Sequence, residues 1–149
     1  MSPPAPDPRD DQNKYVRVYL PVTKSDINAL LLGQNLEGLT GYALLPQWEA
    51  SQSETDQEIL EGELLYLAAS STQKGDKRIV VVAETQGTVL NADLAQVSCG
   101  AFGLKQVQAL FADDDINTVA ISQGADSQDL DLTWFGPTEI LEFWEFLSG

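Results

Sequence analysis

Six consecutive residues, Arg78-Ile79-Val80-Val81-Val82-Ala83, set the tightest limit on the fold. After the arginine, the run is apolar at odd and even positions alike. A strand points successive side chains to opposite faces, so this run needs cover on both. The run therefore reads as a central strand covered from both sides. At 149 residues the chain is long enough for one domain with a proper core.

Within Tyr15–Thr23 the first strand is expected to run to Pro21, with Val16, Val18 and Leu20 alternating with Arg17 and Tyr19. Pro21 has no N–H to donate and ends the ladder. Thr23 then caps a helix whose third position is Asp26. Ile27, Leu30 and Leu31 form its apolar stripe, and Gly33 is placed for a left-handed end. Thr40–Leu45 reads as a second strand stopped by Pro46, followed by a polar loop over Gln47–Glu54 that contains Trp48. Thr55-Asp56-Gln57-Glu58 matches a capping box and opens the longest helix, to about Thr72. Leu60, Leu64, Leu67 and Ala68 mark its buried face; Gly62 inside it costs about 1 kcal/mol against alanine.

Lys74–Lys77 is a turn into the apolar run. Val89–Leu90 and Val97–Cys99 read as short strands and Gln106–Ala112 as another. Asp113–Asp129 reads as an acidic loop with a helical turn near Asn117–Ile121. Leu130–Phe135 is the last strand, Gly136-Pro137-Thr138 a turn, and Glu139–Leu147 the closing helix. The order, βαβαβ, then two short strands, then βα, predicts a single-domain α/β sandwich with a mixed sheet over residues 15–149. Met1–Lys14 holds four of the seven prolines and no apolar period, and reads as a disordered Pro/Asp-rich tail.

Charge narrows the partners. Twenty-three acidic against eight basic residues leave a net charge of −15. Gln106–Gly149 carries nine acidic residues and no basic one; Glu49–Glu63 carries six and none. Such a field repels phosphates, so nucleic acid and anionic membrane are not expected as partners. The expectation is a protein partner or a homo-oligomer. No apolar run approaches the roughly 20 residues of a membrane helix, and no secretory signal opens the chain. The single Cys99 fits a reducing compartment, so a cytoplasmic location is expected.

Absences narrow the chemistry further. The chain has no histidine, which excludes Ser-His-Asp and Cys-His catalysis and any imidazole metal ligand. It has no Cys-x-x-Cys, no P-loop, and no Gly-x-Gly-x-x-Gly after its first strand. No catalytic residue is assigned. Asp113-Asp114-Asp115 follows a strand, as Mg²⁺- or Mn²⁺-holding carboxylates do in many α/β folds. Asp113, Asp114 and Asp131 are the candidate ligands of a divalent-metal-dependent enzyme, the alternative reading. Cys99 is expected to be buried and inert; Arg17 and Arg78 are expected to pair with acids.

The last sixteen residues hold five of the twelve aromatics: Trp134, Phe135, Phe143, Trp144 and Phe146. Ile140, Trp144 and Leu147 share one helical stripe, with Glu139, Glu142 and Glu145 on the rest. Trp134, Phe143 and Trp144 are the candidate anchors for a partner, because aromatics rimmed by charge mark interaction surfaces. The leading functional expectation is a non-enzymatic, acidic protein-interaction or regulatory module.

Several short segments occur together in order: Arg17-Val18-Tyr19-Leu20-Pro21 with Thr23, Gly41-Tyr42-Ala43 with Pro46, Leu60-Glu61, Arg78–Ala83, Asp113-Asp114, and Trp134-Phe135 with Thr138-Glu139-Ile140. In this the chain resembles an uncharacterised actinobacterial domain-of-unknown-function family. It departs from that pattern at Phe111-Ala112, where relatives tend to carry His-Val, and at Trp134-Phe135, where they tend to carry Trp-Tyr. The resemblance implies a bacterial cytoplasmic protein and brings no activity, ligand or catalytic residue.

Overall fold

The computed structural model describes residues 15–53, 55–72 and 76–148. Its strands are β1 (Tyr15–Pro21), β2 (Thr40–Ala43), β3 (Ile79–Asn91), β4 (Gln96–Cys99), β5 (Val107–Ala112) and β6 (Thr133–Phe135). Its helices are α1 (Lys24–Leu31), α2 (Pro46–Ser51), α3 (Gln57–Ser70), α4 (Asp115–Ser122) and α5 (Ile140–Ser148). The expected tail at 1–14 lies outside the described residues, as do residues 74 and 75 of the expected turn.

β3 is the spine of a six-stranded sheet. Its opening run Ile79–Ala83 is buried on both faces, as its sequence demanded. On one face Ile79, Val81 and Ala83 join Val18, Leu20, Ile27, Leu30, Phe143 and Leu147, under α1 and α5. On the other, Val80 and Val82 meet Tyr19, Trp48, Leu60, Leu64 and Ala68, under α2 and α3. The α/β sandwich is thus one sheet between two helical layers.

The sheet is antiparallel at every pairing among the described residues, where the sequence suggested a mixed one. A helix between two strands usually signals a parallel crossover. Here α1 leaves the end of β1, and the chain comes back to that same end, with Val18 opposite Ala43. β1 and β5 flank the first half of β3, and β4 takes its second half, Gly87–Asn91. β2 pairs with β1 and with β4. Four strands therefore close on themselves, and β5 and β6 extend the sheet outward from β3. Gly41 sits where β2 crosses closest to β1: a Cβ there would lie 2.5 Å from the Tyr19 carbonyl oxygen.

Local signals explain most boundaries. Thr23 Oγ1 accepts from Asp26 N at 3.2 Å and Asp26 Oδ2 accepts from Thr23 N at 2.9 Å, completing the capping box. Gly33 follows α1 with φ +79°, the left-handed backbone that glycine adopts without strain. Other elements differ from expectation. Pro46 does not simply stop β2; it occupies the first turn of α2, where its missing N–H costs nothing, and Trp48 is buried rather than in a loop. α3 is capped by Asp56, whose carboxylate accepts from Glu58 N at 2.9 Å, one residue later than the Thr55 box. Val89–Leu90 is the continuation of β3, not a separate strand.

Candidate functional site

The acidic stretch after β5 folds into a hydrogen-bonded hub. Asp113 is fully buried at the end of β5, beside Arg78 at the start of β3, because Ala112 pairs with Ile79. Arg78 Nε donates to Asp113 Oδ2 and Nη2 to Asp113 Oδ1, both at 2.7 Å, a bidentate fork. The remaining guanidinium donors reach backbone: Nη1 to the Ser127 carbonyl at 3.1 Å and Nη2 to the Leu130 carbonyl at 2.9 Å. The charge pair is buried but fully hydrogen-bonded, the condition under which such a pair is tolerated.

The next aspartate serves the backbone. Asp114 caps α4, its Oδ1 accepting from Asn117 N at 2.6 Å. That cap turns the expected loop with one helical turn into a two-turn helix. Asp115 pairs with Lys77 at 2.8 Å. Asp131 contributes its carbonyl, which accepts from Asn117 Nδ2 at 2.9 Å. Among the described residues no three His, Cys, Asp or Glu side chains come together as a metal site. Asp113, Asp114 and Asp131 are thus not assembled as a ligand set; the carboxylates of Asp113 and Asp114 are taken by Arg78 and by α4.

The hub positions β6. Arg78 and Asn117 between them hold the carbonyls of Ser127, Leu130 and Asp131, which tethers the returning chain where it enters β6 at Thr133. β6 then pairs with β5, Trp134 opposite Phe111. Phe135 turns to the α5 side, with its ring centroid 5.1 Å from those of both Phe143 and Phe146. By strand alternation Trp134 faces the other way. It is 59% exposed, on the last strand of the sheet order.

The three candidate anchors therefore separate. Trp134 stands at the surface. Phe143 is fully buried and belongs to the core, a correction that follows from α5 turning Ile140, Phe143 and Leu147 inward. Trp144 is partly buried against that same core, with Lys24 Nζ 5.2 Å from its ring centre.

Two further residues are quiet. Burial pushes the Cys99 thiol up from its ordinary value, which makes it a poor nucleophile. Burial likewise raises Tyr19, helped by the nearby Glu61 charge. A cleft of about 930 Å³ lies between the end of α1 and the start of β5 and is lined by Asn35, Leu104, Lys105, Gln106 and Pro137 among others. It brings together no acid–base pair. Sequence reasoning did not find Arg78–Asp113 as partners; the available signal was an arginine entering one buried strand and an aspartate leaving another.

Residues 16–143 match the model of a family of unknown function, DUF6912, and the chain belongs to that family. No curated protein and no solved structure matches it. No helix among the described residues is long and apolar enough to cross a membrane.

Proposed function

We propose that this domain is a non-enzymatic interaction module that holds a protein partner at the β6 end of its sheet. The observation that carries the reading is Trp134, a large aromatic left exposed on a strand that a buried ion pair holds in place. Tryptophan is among the side chains that most often anchor interfaces, and a rigid support lowers the cost of using it. The surrounding acids, Asp131 and Glu139 among them, supply steering for a basic partner.

The test is capture from host lysate at low and high salt with wild type, Trp134→Ala and Trp144→Ala. A stoichiometric partner held by wild type, weakened by salt and lost with Trp134→Ala supports the reading; Trp144→Ala, on the other side of the sheet, is expected to lose less. A partner held equally by wild type and Trp134→Ala overturns it. So does the absence of any partner while all three proteins are folded.

A further inference from the structure

Strand order leaves one end of the sheet unclosed. β1, β2, β4 and β3 pair in a ring, so the extension through β5 ends at β6, and no described strand pairs along the outer side of β6. An unpaired strand side offers N–H and C=O groups to another chain. β6 is only three residues long, a length that discourages pairing by backbone alone. What it adds is a side chain, the exposed indole of Trp134.

Charge selects the occupant. From Gln106 to Gly149, the segment containing β5, β6 and both helices around them, there are nine acidic residues and no basic one; Arg78 and Lys77 pair with Asp113 and Asp115, and seven further acids remain. A second copy would bring the same field to the same edge, and like charges facing one another are costly. The residues before β1 do not complement it either: Met1–Lys14 carries Asp7, Asp10 and Asp11 against Arg9 and Lys14. A cationic strand does complement it, and an arginine or lysine placed over an indole gains a cation–π contact as well.

We propose that the outer side of β6 takes an extended, arginine- and lysine-rich segment of a partner polypeptide, added as a strand beside Thr133–Phe135. This rests on the interaction-module reading above and names the chemistry of its partner. The strand supplies backbone hydrogen bonds, Trp134 receives a guanidinium or ammonium on its face, and the acids flanking β6 set the on-rate and the salt dependence.

The experiment is an amide-resolved NMR titration of the full chain with short synthetic peptides. One alternates arginine and valine, one alternates glutamate and valine, and one repeats the arginine peptide with its valine N–H groups methylated. The expected result is shifts centred on Thr133–Phe135 with the arginine peptide and none with the glutamate peptide. Methylation should weaken binding at least ~10-fold, as should Trp134→Ala, each corresponding to roughly 1.4 kcal/mol of contact. Equal binding of the methylated peptide overturns strand addition and leaves a purely electrostatic contact. Failure of every peptide, alongside Trp134-dependent capture from lysate, overturns this inference but not the module reading. Failure of both removes both. A concentration-dependent dimer in sedimentation that shields the same amides overturns the basic occupant in favour of a second copy.

Discussion

Asp113 and Arg78 are the two side chains on which the rest of the acidic half depends. Removing one leaves the other charged and buried, at a cost of about 3–5 kcal/mol. Asp113→Ala is therefore expected to lower stability by that order in urea unfolding. It should also release the segment held through the Ser127 and Leu130 carbonyls, seen as faster amide exchange from Gly124 to Phe135. Stability unchanged in Asp113→Ala would mean that the pair contributes little. Buried Cys99 and Tyr19 give a second prediction at this scale. Both have raised pKa values in the folded chain, so the unfolded chain loses these protons first. Their contribution is full below the ordinary thiol value of 9.0 and is lost as pH rises from there toward the raised folded values; Tyr19 follows above 10.0. Urea midpoints between pH 7 and pH 11 should fall, and Cys99→Ala should flatten the first part of that decline. The pair itself was half legible: the sequence marks Arg78 as a strand residue in need of an acid, but with 23 carboxylates available, only the β3–β5 register selects Asp113.

Among the elements, α1 and α3 were the most readable, because their signals are local. Thr23 and Asp26 lie three residues apart and satisfy each other; Thr23→Ala should cost about 1 kcal/mol by chemical denaturation. Gly62 sits mid-helix in α3 with open space where a Cβ would go, so Gly62→Ala should stabilise by up to about 1 kcal/mol. A loss on that substitution would show that the glycine is needed against a neighbour the isolated chain does not contain. α2 and α4 were missed or under-read for a shared reason. Each is short and owes its existence to one residue at its start: Pro46, which also reads as a strand stop, and Asp114, which also reads as a metal ligand. α5 was found, and its inward face in part: Ile140 and Leu147 turn in as expected, with Phe143 rather than Trp144 fully buried beside them. Its apolar arc is wide enough to be rotated either way, and only contact with Phe135 fixes Phe143 inside and leaves Trp144 at the margin.

For the whole molecule, the apolar run Ile79–Ala83 was enough to infer a central strand covered on both faces, whereas strand direction was not legible. Direction is set by which end of β1 the chain returns to after α1, and that depends on long-range contacts such as the Leu36–Phe102 bridge, not on any local period. The same topology underlies the proposed contact surface. A ring of four strands leaves β6 at the end of the sheet, and its outward tryptophan is the proposed point of contact for a chain of net charge −15. The central claim is that a partner meets this domain at Trp134. Its most direct test is site-specific photo-cross-linking in the host, with a benzoylphenylalanine at position 134 and, as controls, at the exposed positions 32, just after α1, and 59 on α3. The account predicts a single cross-linked protein from position 134, diminished at high salt and absent from 32 and 59. Cross-links of equal yield from all three positions, or from the controls alone, would contradict it.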